Sequence, residues 1–204
     1  MAESPEELYA RIVAAVGADG RVPMSPVHEW DMFPWELVGG RLVPKVLQPP
    51  MDAEPARSGA GGVDCHLCDG SGDAVRIWES WNFHLKRPAA PTGLPLVLWL
   101  NANEHYDFTE MGDQQAAEFG QLSVWLARIM SNLRGVGRVH VNRWGDGSEH
   151  MHAWFIARPA RIPGLIGSMA VEWDEMLPPG PEDVWLEDCR QVATKLAHHA
   201  GRAL

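Results

Sequence analysis

The chain has 204 residues, of which 46% are hydrophobic and 22% charged, and a formal net charge of −10. That is the length of one domain with extensions and the composition of a globular protein with a sizeable core. With no Lys/Arg cluster, so acidic a chain cannot displace counterions from a phosphate backbone, which excludes a general nucleic-acid binder. It also lacks the run of about eighteen apolar residues that a membrane span needs. The first residues, Met1-Ala2-Glu3-Ser4-Pro5-Glu6-Glu7, are acidic rather than basic-then-apolar, so the expected location is cytoplasmic.

Residues 4–16 read as a short helix, with Ser4 as N-cap, Pro5 at the first helical position and an apolar stripe of Leu8, Ile12, Ala15 and Val16. Residues 30–47 flank Gly39-Gly40 and predict a hairpin. Residues 48–62, rich in Pro, Gly and Ala, read as a linker. The chain therefore divides into an N-terminal extension and linker (1–62), a main unit (63–159) and a C-terminal loop with an amphipathic helix (160–204).

Within the main unit, residues 75–78, 81–85 and 94–100 read as strands. Residues 109–134 form the strongest helix, with Phe119, Leu122, Leu126, Ile129 and Leu133 at helical spacing and Gly135 at its end. Residues 138–142 are a strand. After the tight connection Arg143-Trp144-Gly145-Asp146-Gly147 comes a strand over 148–159. In that last strand Met151, Ala153 and Phe155 face one way; His150, His152 and Trp154 face the other. A final helix spans about 181–200 and places Cys189 as a small buried hydrophobe. Strands joined by short loops, with few helices between them, predict an α+β fold: an antiparallel sheet with one long helix.

A strand that presents two imidazoles on one face points to a ligand or a metal. Cys65 and Cys68 form a Cys-x-x-Cys pair in a chain with no secretion signal, which reads as a metal site or a redox pair rather than a structural disulfide. No parallel β-α-β context surrounds the pair, which weighs against redox activity. The net acidity does not exclude a small anionic ligand, since backbone N–H groups and imidazoles can hold a phosphate locally. Of the ten tryptophans, Trp99, Trp144 and Trp154 fall near this pocket as possible stacking walls. Trp30, Trp35, Trp125 and Trp185 read as core or interface residues.

Four features together resemble the histidine-triad superfamily, including its galactose-1-phosphate uridylyltransferase branch. They are Cys65-His66-Leu67-Cys68; the apolar strand leading to Asn103-Glu104-His105; the long helix 110–134; and Asn142 followed by Ser148-x-His150-x-His152 and Arg158. The likeness covers about residues 63–159. It implies a histidine-triad-like fold and a structural zinc held by Cys65, Cys68, His105 and His150. It implies that His152 is a nucleophile toward a nucleotide phosphorus, and that the protein is a homodimer. The expected substrate is a phosphorylated small molecule or nucleotide, and the expected activity is nucleotidyl transfer, or hydrolysis of a phosphoanhydride or phosphoramidate. Asn142, Gly147, Ser148 and Trp154 are its expected contacts, with Asn82 near the ribose.

Two positions depart from the family. The third motif residue is Trp154, where the hydrolases have histidine and the uridylyltransferases have glutamine; an indole donates one N–H but cannot carry a proton. The turn between Asn142 and His150 is short and holds Asp146 and Glu149, two carboxylates that oppose an anion unless they point away. Two alternatives follow: a binding protein that kept fold and metal, or an enzyme of a specialised pathway using His152 as general acid or base.

Overall fold

The computed structural model describes residues 3–24 and 33–204. Six strands, β3 (Val75–Glu79), β4 (Phe83–Arg87), β5 (Leu96–Ala102), β6 (Val136–Asn142), β7 (His152–Pro159) and β8 (Arg202–Ala203), form one antiparallel sheet. Their order is β6-β7-β5-β4-β3-β8. A separate hairpin pairs β1 (Trp35–Val38) with β2 (Arg41–Pro44). Its turn residues Gly39 and Gly40 have φ of 56° and 77°, the positive values a tight hairpin turn requires. The helices are α1 (Pro5–Ala15), α2 (His66–Asp69), α3 (Asp113–Ser131) and α4 (Glu182–Ala197). Among the described residues no helix is long and apolar enough to cross a membrane.

Strand alternation sorts the sheet into two faces. On one face Trp78, Phe83, Leu85, Leu98, Ala153 and Phe155 are buried against Leu122, Leu126 and Met130 of α3 and Trp185, Val192 and Leu196 of α4. Cys189 lies in this core, as its helical spacing predicted. The other face is only half covered. Val97 and Ile156 pack under Leu165 and Leu177 of the C-terminal segment, with Ile12 of α1 and Trp173 alongside. The uncovered half carries Lys86, Trp99, Asn101, His152 and Trp154, and it becomes the site.

α1 follows its sequence signals. The Ser4 hydroxyl accepts the Glu7 N–H at 3.2 Å, and the Glu7 carboxylate accepts the Ser4 N–H at 2.7 Å. Arg11 pairs with Glu3 at 2.8 Å and donates to the Pro178 carbonyl, so this part of the N-terminal extension is bound to the sheet's covered face.

Several boundaries moved. The long helix starts at Asp113, not at residue 109, because Asp107 first caps a 3₁₀ turn over Phe108–Glu110 and the chain re-enters the helix at Gly112. The last strand starts at His152, because Gly147 and Glu149 bond to the loop at Ser58 and the Met151 N–H goes to Tyr106, leaving Met151 a single bond to the sheet, from the Ala102 N–H. Trp81 stands 90% exposed in the β3–β4 turn. The hairpin is shorter than 30–47 and lies outside the core: Trp35 is exposed, and Leu37 and Leu42 more so. Trp30 and the hairpin's first residues, 30–32, lie outside the described residues. β8 had no periodic signal, being two residues long. Trp185 is core, and Trp125 stacks on His199 with centroids 5.0 Å apart.

Candidate metal centre and active site

The Cys-x-x-Cys pair sits on a single helical turn. Cys65 precedes α2, Cys68 lies three residues on and so on the same side, and Gly70 closes the turn at φ 69°. Gly59 permits the preceding loop to pass: its φ is 77°, and a Cβ there would lie 3.0 Å from Cβ and 3.1 Å from Sγ of Cys65. That loop is tied to the histidine segment, with Ser58 N–H donating to the Gly147 carbonyl and Glu149 N–H donating to the Ser58 carbonyl, both at 3.0 Å. On the other side Met151 N–H donates to the Tyr106 carbonyl at 2.7 Å, and Ala102 N–H donates to the Met151 carbonyl at 3.0 Å. These bonds bring the turn carrying His105 against the segment carrying His150.

The four residues converge. The ligand atoms of Cys65, Cys68, His105 and His150 all lie within 4.8 Å of one another. His150 Nδ1 is 3.4 Å from Cys65 Sγ and 3.3 Å from Cys68 Sγ; His105 Nδ1 is 3.5 Å from Cys68 Sγ. The opposite nitrogen of His150, Nε2, is 3.0 Å from the Ala102 carbonyl, which can only accept. Nε2 therefore carries the proton, and Nδ1 offers its lone pair to the sulfurs. Burial lowers the His150 pKa, and burial with the neighbouring Cys65 pushes the Cys68 thiol up to about 11. Both rings and both thiols are a donor set that could hold a metal ion.

His152 lines a cavity of about 280 Å³ together with Ser148, Trp154, Trp99, Asn101 and Lys86, roofed by the loop at His66 and Asp73. Its Nδ1 is 2.8 Å from the His150 carbonyl. That oxygen accepts, so Nδ1 is protonated and Nε2 keeps its lone pair.

The other expected contacts divide. Ser148 and Trp154 line the cavity; Asn142, Gly147 and Asn82 do not. Asn142 ends β6 opposite Trp154, Gly147 gives its carbonyl to Ser58, and Asn82 donates to Glu118 at 2.6 Å. Trp154 is held edge-on between Trp99, with centroids 5.1 Å apart, and Trp144, at 5.7 Å. Trp144 thus supports the wall from behind. The carboxylates of the short turn do point away. Glu149 accepts from Arg57 at 3.3 Å and from the Gly61 N–H at 2.8 Å, and Asp146 is exposed. Arg57 and Arg143 both pair with Asp107. Burial alone would raise the Asp107 pKa, but Arg57, the Phe108 N–H and Arg143 outweigh it, and the net direction is down.

Sequence reasoning missed Lys86 and Asn101. Both fall one residue past the predicted strand ends, 85 and 100. The period of two would have found them, since it puts Lys86 on the face of His84, and Asn101 on the face of Trp99.

No family model matches the sequence, and no curated protein matches it. Solved structures do. A histidine triad protein from Marinobacter aquaeolei VT8 is 19% identical and covers 66% of this chain and 96% of its own, with a TM-score of 0.51. This chain has the histidine-triad fold. A Zn-bound histidine triad family protein from Mycobacterium smegmatis is 20% identical, covering 67% of this chain and 94% of its own, with a TM-score of 0.43. The histidine-triad fold accounts for the sheet and the long helix.

Proposed function

We propose that this chain is a divergent, zinc-containing histidine-triad enzyme that transfers or hydrolyses a nucleotidyl group through His152. The observation that carries the reading is the 2.8 Å contact between His152 Nδ1 and the His150 carbonyl. It fixes the tautomer in which Nε2 is a free nucleophile on a side chain that lines the cavity.

Zinc suits the metal centre. Tetrahedral zinc with bonds of about 2.0–2.3 Å to N and S has ligand–ligand edges of roughly 3.5 Å; three of the sulfur–nitrogen distances are 3.3 to 3.5 Å, and all four ligand atoms lie within 4.8 Å of one another. With four protein ligands no position is open, so the ion's work is structural: it clamps α2, the His105 turn and the start of β7.

In the reaction, His152 Nε2 attacks the α-phosphorus. An N–P bond forms as the bond from phosphorus to the leaving group breaks. Water or a phosphorylated acceptor then displaces the histidine, and its oxygen takes the phosphorus as the N–P bond breaks. Trp154 carries no proton, so the leaving group departs as an anion or takes its proton from water. Phosphoanhydrides therefore fit better than phosphoramidates, whose amine must be protonated to leave. The same feature supports a second reading, a nucleotide-binding protein without turnover. We propose a homodimer as its assembly.

The test is incubation with α-labelled nucleotides, nucleotide sugars and dinucleoside polyphosphates. Label bound to protein, or product, is expected from wild type and from neither with His152→Ala. Turnover that survives His152→Ala removes the nucleophile assignment. Binding without label or product selects the second reading.

A further inference from the structure

Lys86 lines this cavity and has no part in the mechanism above. It is 8% exposed, and among the described residues no carboxylate or carbonyl pairs with it. Its surroundings make the charge harder to hold. Arg76 stands directly opposite it across the β3–β4 pair, and like charges in that relation repel. The carboxylate of Glu79 is spent on Arg76, at 3.2 Å, and on Arg202, at 2.6 Å. Asp73, the carboxylate of the cavity lining, is exposed at its rim and forms no ion pair with Lys86. His84, two residues back on the same face, is kept neutral by burial, with its pKa lowered to about 4. Burial first, and Arg76 second, lower the lysine's own pKa. The stem of Lys86 is buried and its unpaired ammonium is left at the cavity, where an anionic ligand would complete it.

The placement defines that ligand. Lys86 is opposite Trp99, and Trp99 is opposite Trp154; one pair along, Asn101 is opposite His152. Lys86 and His152 are thus two strands and one pleat repeat apart, roughly 12 Å between backbones at ordinary sheet spacings. The indole of Trp99 lies between them. We infer that Lys86 selects a substrate with a second anionic group, phosphate or carboxylate, carried on a flat moiety that rests against Trp99 while the reacting phosphorus sits at His152. This deepens the nucleotidyl-transfer reading and rests on its pocket.

The test uses two matched pairs of probes and the quenching of tryptophan fluorescence on titration. One pair is phenyl phosphate and 1,4-phenylene bisphosphate; the other is phenyl phosphate and 4-carboxyphenyl phosphate. Wild type should bind the doubly anionic member of at least one pair roughly 10- to 100-fold more tightly, the range of one charge-assisted hydrogen bond. The pair that discriminates tells phosphate from carboxylate. Lys86→Gln should erase the difference, and Lys86→Arg should retain most of it. Lys86→Met should also raise the melting temperature of the ligand-free protein by a few degrees, because it removes an unpaired charge; a lysine with a merely structural role would move it down. The inference is overturned if wild type shows no preference in either pair, or if Lys86→Gln keeps the preference. A preference that depends on Lys86 in a protein that never labels on His152 keeps this inference and sinks nucleotidyl transfer alone.

Discussion

His150 and His152 are coupled through the main chain. The carbonyl of His150 lies 2.8 Å from Nδ1 of His152, while the ring of His150 aims its own Nδ1 at the sulfurs of Cys65 and Cys68. One residue therefore belongs to the candidate metal centre by its side chain and to the candidate nucleophile by its backbone. Whatever holds the His150 ring also holds the oxygen that sets the His152 tautomer.

Metal removal should therefore reach His152. We expect one zinc per chain by metal analysis, and chelation should lower the melting temperature by on the order of 10 °C. Labelling of His152 should fall with it. Cys68→Ser should lose the ion, and full retention would take Cys68 off the ligand set. The Cys68 thiol, pushed up to about 11 by burial and by Cys65, is protonated at neutral pH without metal. Zinc must displace that proton, so apparent affinity should rise with pH, by up to about tenfold per unit for each proton released.

Trp154 should decide the leaving group. Trp154→His puts a proton carrier where the indole has none, and the ratio of phosphoramidate to phosphoanhydride turnover should rise at least about tenfold. The smaller ring leaves a gap beside Trp99 and Trp144, so the variant should be about 1–3 kcal/mol less stable by denaturant unfolding. An unchanged ratio in a folded, zinc-loaded variant argues that leaving-group protonation is not limiting.

Arg57→Ala removes one partner from Asp107, which keeps Arg143, and the cation from Glu149, which keeps the Gly61 N–H. The pairs are partly exposed, so the loss of stability should stay near 1 kcal/mol. Glu149 follows the cavity residue Ser148 directly, and its freed charge should weaken anion binding several-fold. Equal affinity of wild type and variant for pyrophosphate, by calorimetry, would remove Arg57 from the account of the site.

His84 should make folding pH-dependent. Its Nδ1–H donates to Asn103 Oδ1 at 2.8 Å, and the Asn103 amide is fixed by bonds to the Ser80 and Trp81 carbonyls. The folded pKa of about 4 lies below the ordinary histidine value of about 6.5. As pH falls through 6.5 the unfolded chain takes a proton that the folded chain refuses, so stability present above 6.5 is lost toward pH 4. The stability difference between wild type and His84→Gln should shrink by up to ~3 kcal/mol between pH 7.5 and 4.5. A difference independent of pH would show that His84 charges freely in the fold.

Much of the fold was legible from local pattern. The period of two in Met151, Ala153 and Phe155 placed those residues in the core, and the stripe on 119–133 marked α3. The capping box at Ser4 and the glycine pair at 39–40 are short-range signals that held. What failed locally failed for tertiary reasons. The strand expected over 148–159 begins only at His152, because the Glu149 and Met151 N–H groups go to Ser58 and Tyr106. Trp35, read as core or interface, lies on an exposed hairpin outside the core.

By itself the sequence determined which residues are chemically able to act: two thiols one helical turn apart and two imidazoles two residues apart at the start of a strand. It determined these because helix and strand periods are set within a few residues of chain. No local period places His105, 37 residues after Cys68, in the same cluster; the family likeness named it and the tertiary structure brings it there. Only the tertiary structure decided that Glu149 turns to Arg57, and that Lys86 is buried without a partner beneath the cavity. Those outcomes depend on strand order and loop packing, which long-range contacts settle and no local period encodes.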